Sequence, residues 1–407
     1  MRVIYVHQYF QTPEQGGAIR SYHLARGLVD AGIEVEMVTA HNESYYDFRK
    51  VDGIKVHYLP VAYMPSFGTI RRLWSFAQFV FQAKKLIKKL PRPDLLYLTS
   101  TPLTVGWIGL WAKKTLAVPY IFEVRDLWPE APIQVGVIRS QWAKEALYRM
   151  EAKIYHQALQ IVALSPGIKT YIVKRKLWAK PVLIPNFSDT VFLSPAKKSP
   201  LILGQWDLKA KFTISYTGAL GRVNALHQFL HLAKEAQIEK KDWQFVIMGQ
   251  GAKERQLKQL AQDLQLTNTR FFPFGNKEQV RDLLSVTDMA YISFDRLPVL
   301  RTNSPNKFFD ALAAGKAIVT NHKGWVANLV KEHQLGCSHQ PENPKKGIQK
   351  IADFADDPAL LQAAQKSARA LAENHFSKER AVKVLLNTID PERFKIDPSD
   401  GVYILTA

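Results

Sequence analysis

The segment 123–130 carries four charged side chains in the order Glu-Val-Arg-Asp-Leu-Trp-Pro-Glu. It begins where the apolar run 120–124, typical of a buried strand, comes to its end. Charges at the carboxyl end of a strand in an α/β fold more often serve a site than a core. An internal Arg–carboxylate pair that braces the loop would produce the same pattern. Arg125 and Asp126 are therefore candidate catalytic residues.

A second candidate is the segment 302–310, Thr-Asn-Ser-Pro-Asn-Lys-Phe-Phe-Asp, which leads into a predicted helix over 306–314. Pro305 suits a first helical turn, and Ser304 can cap it. A helix N-terminus that carries Lys307 attracts phosphate groups, while Asp310 one turn later can bind a ribose. A plain capped helix with solvated charges explains the same residues, so the pattern alone leaves both interpretations open.

Glycine-bearing loops follow three predicted strands. Side-chain-free loops let backbone N–H groups approach a ligand closely, and Arg222 adds a cation able to hold a phosphate. Each loop alone is equally compatible with a tight turn, but all three lie at strand ends that would face one cleft. The residues concerned are Gly16 and Gly17, Gly218 and Gly221 with Arg222, and Gly249 and Gly251.

These residues need strands and helices that bring them together, and the hydrophobic pattern predicts two α/β domains in tandem. The first domain has predicted strands at 3–6, 35–39, 95–98, 120–124, 161–164 and 182–184, with a helix over 19–31. Residues 187–211 resemble a connector because of their Pro, Ser and Lys content. The second domain has predicted strands at 212–216, 245–248, 270–272, 289–292 and 317–320, with helices at 225–236, 253–264 and 306–314.

Composition narrows the function class. Of the 407 residues, 47% are hydrophobic and 22% charged, which is ordinary for a globular protein. The formal charge of +19 favours contact with an anionic partner, although part of the excess is a solvated surface. A single cysteine excludes an internal disulfide framework and any cysteine-based zinc cluster. The first residues do not resemble a signal peptide and no long apolar run is present, so we expect a cytoplasmic protein.

The region 70–90 predicts an amphipathic helix with a basic and aromatic character. Its apolar stripe is widened by Trp74, Phe79 and Phe81, and arginines and lysines crowd its ends. This composition suits a helix on an anionic membrane surface, and it suits a core-packing helix of the first domain equally well. The stripe consists of Leu73, Phe76, Val80, Ala83, Ile87 and Leu90.

Taken together, these segments resemble the retaining glycosyltransferase family 4 over essentially the whole chain. The similarity is strongest to the bacterial surface-polysaccharide branch that transfers sugars such as N-acetyl-L-fucosamine. The string at 123–130 is quite specific to it, whereas the glycine pairs are not. The other motifs in chain order are His7-Gln-Tyr-Phe10, Gly16-Gly17 with Arg20, Ser165-Pro-Gly167, Ile184-Pro-Asn186, Tyr216-Thr-Gly218, Gly249-Gln-Gly251, Ser304-Pro-Asn-Lys307 and Ala313-Ala-Gly-Lys316.

The resemblance implies the GT-B fold, in which two Rossmann-like doubly wound α/β domains face a central cleft. It implies domains at 1–190 and 191–375, with a final helix at about 376–407 crossing back to the first domain. It implies a UDP-sugar donor and no metal or cofactor. The implied catalytic residues are Arg125, Asp126, Arg222 and Lys307, and the implied donor-binding residues are Gly16, Gly17, Gly218, Arg222, Asn224, Gly249, Gly251, Ser304, Asn306, Lys307 and Asp310.

Three positions depart from the common family pattern. Many members have two glutamates separated by seven residues where this chain has Thr302 and Asp310. Many have a lysine after the second-domain glycine loop, where this chain has Asn224, and Arg222 is the candidate substitute. Arg125 stands where many relatives have a histidine. These differences bear on the sugar that is recognised.

The function that follows is transfer of a UDP-linked, N-acetylated sugar, with retention, onto a lipid-linked saccharide in bacterial O-antigen or capsule assembly. The enzyme would be peripheral on the inner face of the cell membrane, with the 70–90 helix as its candidate contact to anionic lipid. Two alternatives stay open, a nucleotide-sugar epimerase of the same fold and a non-enzymatic polyanion binder. No nucleic-acid module is recognisable, so we expect no nucleic-acid partner.

Overall fold

The computed structural model describes residues 1–17, 19–64, 67–178 and 180–397. Its helices and strands form two α/β domains, each built around a sheet of mainly parallel strands. The elements of the first domain are β1 (Arg2–Val6), α1 (Arg20–Asp30), β2 (Glu34–His41), β3 (Asp47–Val51), β4 (Ile54–Pro60), α2 (Thr69–Ile87), β5 (Leu95–Thr99), α3 (Gly106–Leu116), β6 (Tyr120–Val124), α4 (Glu130–Gln134), α5 (Gln141–Gln157), β7 (Gln160–Ala163), α6 (Pro166–Lys174) and β8 (Val182–Leu183).

The second domain and the C-terminal helices follow. Their elements are α7 (Pro200–Gln205), β9 (Phe212–Thr217), α8 (His227–Ile238), β10 (Trp243–Met248), α9 (Glu254–Asp263), β11 (Thr269–Phe272), α10 (Lys277–Ser285), β12 (Met289–Ile292), α11 (Asn306–Ala313), β13 (Ala317–Thr320), α12 (Trp325–Glu332), β14 (Gly336–Ser338), α13 (Pro344–Ala355), α14 (Pro358–His375) and α15 (Lys378–Ile389). Short 3-10 helices span Pro13–Gln15, Leu103–Val105, Arg222–Asn224 and Pro298–Thr302.

The sheets have the doubly wound topology that the sequence predicts. Over the described residues the first sheet runs β3-β4-β2-β1-β5-β6-β7-β8, and the second runs β11-β10-β9-β12-β13-β14. All pairings are parallel except that of β3 with β4. Since parallel strands share one carboxyl edge, the loops after β1, β6, β9 and β12 can meet in the cleft between the domains.

Every strand predicted from the pattern is present, with ends that coincide with the prediction or differ from it by at most two residues. The hairpin β3–β4 and the edge strand β14 are absent from the prediction. Most of β3 is solvent-exposed, so it lacks the apolar run by which buried strands were identified. The segment 187–211, predicted as a connector, also contains the short helix α7, whose six residues are too few to show a helical hydrophobic period.

The chain passes twice between the domains at one place. Ser188 pairs with Ser377, and its backbone N–H donates to the carbonyl of Phe376 at 2.7 Å. Beyond this crossing, α15 packs against α1 and buries Ala381, Leu385 and other apolar residues in the core of the first domain. The last described helix, α15, therefore packs against the first domain.

One hydrophobic cluster continues from the first domain into the second. It joins Leu164 and Ile168 of the first domain to Val299, Leu300 and Phe308 of the second. The shared core means that the domain arrangement is stabilised by apolar burial as well as by the two chain crossings. Within the described ranges, no helix combines the length and apolar character needed to cross a bilayer.

Candidate active site

A cavity of about 580 Å³ opens between the carboxyl edges of the two sheets. Both domains line it, which is the expected place for a ligand in facing α/β domains. A second cavity of about 570 Å³ adjoins it beside α1 and α15. The predicted site residues that line the first cavity are Gly17, Arg125, Asp126, Gly218, Asn224, Ser304, Asn306, Lys307 and Asp310.

Lys307 is the cation on the second-domain wall. It lies in the first turn of α11, where helix N–H groups point toward the cavity. Its Nζ donates to the hydroxyl of Tyr216 at 2.6 Å and stands 3.8 Å from the centre of that ring. Burial lowers the pKa of Lys307 to about 7, and no carboxylate within salt-bridge distance is recorded for it among the described residues. An anion in the cavity would compensate this charge.

Asp310 lies one turn further along α11 and also lines the cavity. Its carboxylate accepts from the Nζ of Lys277, the first residue of α10, at 3.2 and 3.4 Å. Both side chains are mostly buried, at 15% and 16% exposure. The Lys277–Asp310 pair lines both cavities and so lies between them. The carboxylate of Asp310 has further lone pairs that can accept hydrogen bonds from hydroxyl groups.

The glycines of the second domain serve the site in two ways. Gly218, with φ +133°, lines the cavity next to the Lys307 side chain. Gly249 and Gly251 do not line it. A Cβ at Gly249 would lie 1.9 Å from the Gly218 carbonyl oxygen, and one at Gly251 would lie 2.6 Å from that of Leu220. These two glycines therefore allow the loop after β10 to support the Gly218 loop from below.

Arg222 and Gly16 occupy the rim. Arg222 begins the 3-10 helix Arg222–Asn224, its side chain is exposed, and it does not line the cavity. Gly16, with φ +72°, crosses the cleft, since a Cβ placed there would lie 3.5 Å from the Cα of Asn276 in the second domain. The N-terminal glycine loop thus covers the segment 274–276.

Arg125 and Asp126 form the first-domain wall opposite Lys307. The Nη1 of Arg125 donates to the Nε2 of His7 at 3.2 Å. Arginine only donates, so His7 holds its proton on Nδ1, and burial together with Arg125 keeps the pKa of His7 well below its usual value. Burial raises the pKa of Asp126, with Arg125 partly offsetting it. The wall presents a cation beside a carboxyl group.

The other two charges of the 123–130 string lie outside the cavity. Glu123 is fully buried and accepts from Arg20 at 3.0 Å and from Tyr97 and Thr99 at 2.7 Å each. Arg20 also donates to the carbonyls of Pro185 and Ile184. Burial raises the pKa of Glu123, but the charges of Arg20 and Arg125 and the hydrogen bonds from Arg20 and Tyr97 together hold it below its usual value. The internal brace therefore exists, but it involves Glu123 and Arg20 rather than Arg125.

Thr302 explains how this chain departs from the two-glutamate pattern. Its hydroxyl donates to the Val299 carbonyl at 2.7 Å. The Cβ position of Gly167 lies 2.8 Å from its methyl carbon, so the side chain faces α6 and does not line the cavity. A glutamate here would meet α6 of the first domain. Amide side chains line the cavity, namely Asn186, Asn224, Asn276, Asn303 and Asn306.

Sequence reasoning missed several lining residues. Asn186 donates its backbone N–H to the Ser304 hydroxyl at 3.1 Å and its Nδ2 to the Ser304 carbonyl, joining the domains. Lys277 and Phe274 stand just after β11, at the same carboxyl edge as the predicted residues. Their position after a strand was the available signal. That signal is weak, because β11 is only partly buried and its sequence does not stand out as a core strand.

Within the described parts of the chain, no cluster of three or more His, Cys, Asp or Glu side chains is placed to hold a metal ion. The charges that face the cavity are instead the cations and single carboxylates described above. The wall from the second domain is the more basic of the two around Lys307 and Lys277. This arrangement suits an anionic ligand bound against the second domain.

Comparisons with known proteins agree with this geometry. A glycosyl transferase 4-like domain model matches residues 15–186, and a glycosyl transferases group 1 model matches residues 204–371. The putative colanic acid biosynthesis glycosyl transferase WcaI of Escherichia coli K12 is 22% identical over 89% of this chain and 93% of its own length.

Two solved structures have similar folds. Sucrose-phosphate synthase from Thermosynechococcus elongatus has a TM-score of 0.78 at 16% identity, covering 97% of this chain and 99% of that one. HepE from Anabaena, solved in complex with UDP and glucose, has a TM-score of 0.68 at 15% identity, covering 96% of this chain and 100% of that one.

The two matched models lie end to end along the chain, one on each Rossmann-like domain. Both are glycosyl transferase models, which favours sugar transfer over the epimerase and polyanion-binding alternatives. The chain is therefore a glycosyltransferase of the GT-B fold, with a glycosyl transferase 4-like domain followed by a group 1 domain.

Proposed function

We propose that this enzyme transfers an N-acetylated sugar from a UDP donor, with retention and without a metal, to a lipid-linked saccharide in bacterial surface-polysaccharide assembly. The observation that carries the donor assignment is Lys307. A cation with a lowered pKa, set at a helix N-terminus beside a glycine loop, is destabilised until an anion binds. The diphosphate of a nucleotide sugar meets that requirement.

The donor would lie against the second domain. Its diphosphate would contact Lys307, the N–H groups of α11 and the Gly218 loop, and its ribose would contact Asp310. Phe274 and Asn276 also line the cavity and would contact the uracil ring. Two structural neighbours support a UDP-linked donor, since HepE was solved with UDP and glucose and an Escherichia coli trehalose-6-phosphate enzyme with UDP-2-fluoro glucose.

Catalysis would rest on electrostatic stabilisation of the leaving group. As the glycosidic bond breaks, negative charge grows on the diphosphate, and fixed donors in a water-poor cleft stabilise it. Asp126 faces this region from the first domain, and its raised pKa suits a group that accepts a proton from the acceptor hydroxyl. Arg125 beside it would hold the sugar or the acceptor. No side chain is assigned as a nucleophile, in keeping with retention without a covalent enzyme intermediate.

The asparagine side chains that line the cavity support an N-acetylated donor. Asparagine offers both a donor and an acceptor without charge, which matches the hydroxyl and acetamido groups of such a sugar. The colanic acid enzyme among the relatives supports a role in surface polysaccharide, whose precursors are assembled on lipid.

The outer face of α2 supports a membrane-bound acceptor. Its inner face, with Phe76, Phe79, Val80, Ala83 and Ile87, packs into the core. Ile70, Leu73, Trp74 and Phe81 are 85%, 57%, 68% and 70% exposed. The inner face of α2 therefore packs in the core, as one interpretation of its sequence expects. The outer face is apolar and flanked by lysines, as the membrane-contact interpretation expects. We propose that this outer face holds the enzyme peripherally on the anionic inner leaflet.

The donor assignment is tested by incubating the enzyme, in EDTA, with UDP-linked and GDP-linked sugars and a polyprenyl-diphosphate-linked amino sugar. We expect a product only with a UDP-N-acetylamino sugar, with the α-linkage of the donor kept in its proton NMR spectrum. Lys307→Met should abolish it, and Lys331→Met, an exposed lysine on α12, should not. A β-linked product, or transfer only from GDP-sugars, would refute the corresponding part of the proposal.

Membrane binding has its own test with vesicles of phosphatidylglycerol. The double variant Trp74→Ser/Phe81→Ser should lower the fraction of protein that cosediments by about tenfold, because two exposed aromatic side chains leave the interface. The matched control is Leu201→Ser/Ile238→Ser, two exposed apolar residues of the second domain. Equal loss in both variants would mean that α2 is not the contact.

A further inference from the structure

Residues 298–304 of the second domain, which we call the docking segment, pack against the first domain. It consists of the 3-10 helix Pro298–Thr302 and the two residues after it. Val299 and Leu300 are 4% and 6% exposed and share a hydrophobic cluster with Ile168 of the first domain. The docking segment leads directly into α11, so its placement decides where Lys307 stands.

Polar contacts fix the docking segment at both ends. At its start, the backbone N–H of Val299 donates to the Oε1 of Gln134 at 2.9 Å. At its end, Asn186 bonds to Ser304 through two hydrogen bonds, and the indole of Trp325 donates to the Asn303 carbonyl at 2.7 Å. Gln134 and Asn186 both lie on the first-domain side of the cleft.

Gln134 is itself held in one orientation. Its Nε2 donates to the Oε1 of Glu130 at 2.6 Å, and the other oxygen of Glu130 accepts from the Tyr148 hydroxyl at 2.5 Å. A carboxylate only accepts, so Glu130 keeps the amide nitrogen on its own side. The amide oxygen of Gln134 is left to face Val299. Glu130, the second glutamate of the 123–130 string, thus orients Gln134, which accepts the hydrogen bond from the docking segment.

Gln134 and the catalytic wall belong to one short piece of chain. Residues 125–134 carry Arg125 and Asp126 at one end and the helix α4, ending in Gln134, at the other. The Gln134–Val299 bond joins this piece to the segment that carries Lys307. One short path between Asp126 and Lys307 therefore runs through this cross-domain bond, beside the path through the Asn186–Ser304 bonds.

We propose that Gln134, oriented by Glu130, is a positioning residue that latches the two domains together and sets Lys307 opposite Asp126. The inference rests on the proposed sugar transfer, in which these two side chains act on opposite sides of the donor. Gln134 does not line the cavity and touches neither side chain. Its effect is on the distance between the walls, and displacements of about 1 Å in such geometry cost up to about a hundredfold in rate.

The test uses Gln134→Met, which keeps the side-chain length and removes both hydrogen bonds. Its matched control is Gln141→Met, an exposed glutamine at the start of α5. UDP affinity, which depends on the second domain, should stay within about threefold of wild type. The kcat for UDP release during transfer from the UDP-N-acetylamino sugar to the polyprenyl-diphosphate-linked acceptor should fall about tenfold or more, with little change in KM. Gln141→Met should match the wild type in every measurement.

A distance measurement separates latching from a general loss of stability. Spin labels at Glu43→Cys and Arg255→Cys, exposed positions in the two domains, report the width of the cleft in a Cys337→Ser background. With UDP bound, Gln134→Met should show a longer and broader distance distribution than the control. Glu130→Gln should shift it in the same direction, since an amide no longer orients Gln134.

Unchanged distances and kcat in Gln134→Met would overturn the latch. Loss of UDP binding in that variant would also overturn it, because the residue would then belong to the binding site. Failure of the wild type itself to bind UDP would instead refute the proposed function. The Gln134→Met variant thus tests the latch, and the wild type tests the proposed function.

Discussion

At the scale of the single residue, the buried charge of Lys307 lowers the stability of the fold, while the proposed function needs that charge to bind phosphate. Its ammonium group lies in the cavity wall with a phenol as partner, and burial lowers its pKa to about 7. The unfolded chain keeps a lysine pKa near 10.4, so unfolding takes up protons between these values. Stability contributed by this residue therefore rises as the pH rises from 7 toward 10. The charged form is the destabilised one, and it is the form that binds phosphate.

This conflict predicts a pH-dependent affinity. A bound diphosphate favours the ammonium form and raises the pKa of Lys307 in the complex, so binding above pH 7 takes up a proton. The affinity for UDP should fall as the pH rises above about 7, by up to about tenfold per pH unit. Calorimetry at pH 7, 8 and 9 measures it. Lys307→Met should bind weakly with no such slope, and an equal slope in that variant would assign the proton to another group.

The same conflict predicts the effect of removing the charge from the free protein. Lys307→Met replaces a destabilised cation by an apolar chain of similar length, so the unliganded protein should melt about 2 °C higher at pH 7. Lys331→Met, at an exposed position on α12, serves as the control and should melt as the wild type does. A lower melting temperature for Lys307→Met would mean that the lysine stabilises the fold through a contact other than the Tyr216 hydroxyl.

At the scale of the element, the two glycine loops of the second domain form a stacked pair. The loop after β9 carries Gly218 into the cavity, and the loop after β10 lies beneath it. Gly249 and Gly251 follow a predicted strand, and the family resemblance implies that they bind the donor. The structure gives them backbone neighbours instead. Contact between two loops is not visible in local sequence patterns, since it depends on sheet order.

Gly249→Ala tests this support. The new Cβ would meet the Gly218 carbonyl, so the upper loop must move. We expect a loss of about 2 kcal/mol in the free energy of unfolding, typical of overpacking, and weaker UDP binding. Gly204→Ala is the control, because a Cβ at that position of helix α7 meets nothing within 4 Å and should stabilise slightly. Wild-type stability of Gly249→Ala, measured by urea unfolding, would contradict the close approach.

How much the sequence predicts also depends on the element. The buried parallel strands β1, β6 and β12 contain apolar runs, and β9 alternates apolar side chains with Thr and Ser, so both domains and the cavity-facing edge could be predicted. Arg125, Asp126 and Lys307 follow from strand-end and helix-start positions. The hairpin strand β3 could not be recognised because its exposed side chains carry no core pattern. The hydrogen bonds of Lys277, Asn186 and Gln134 join segments far apart in the chain, and a local sequence pattern does not show which segments meet.

At the scale of the whole molecule, the two domains make different contributions to one cavity. The second domain supplies Lys307, the Gly218 loop and Asp310, which suit a nucleotide diphosphate. The first domain supplies Arg125 and Asp126, which suit the sugar and the acceptor. The shared core and the docking segment hold these walls together. Binding and transfer should therefore be separable by substitutions on opposite walls.

The measurement that tests this division most directly is a calorimetric titration with UDP, in EDTA, of the wild type, Lys307→Met and Asp126→Asn. We predict metal-independent binding that Lys307→Met weakens about tenfold to a hundredfold, the loss of a charged hydrogen bond. Asp126→Asn should bind UDP as the wild type does and fail to transfer the sugar. Absence of UDP binding in the wild type, or equal weakening by both substitutions, would contradict a nucleotide held by the second domain.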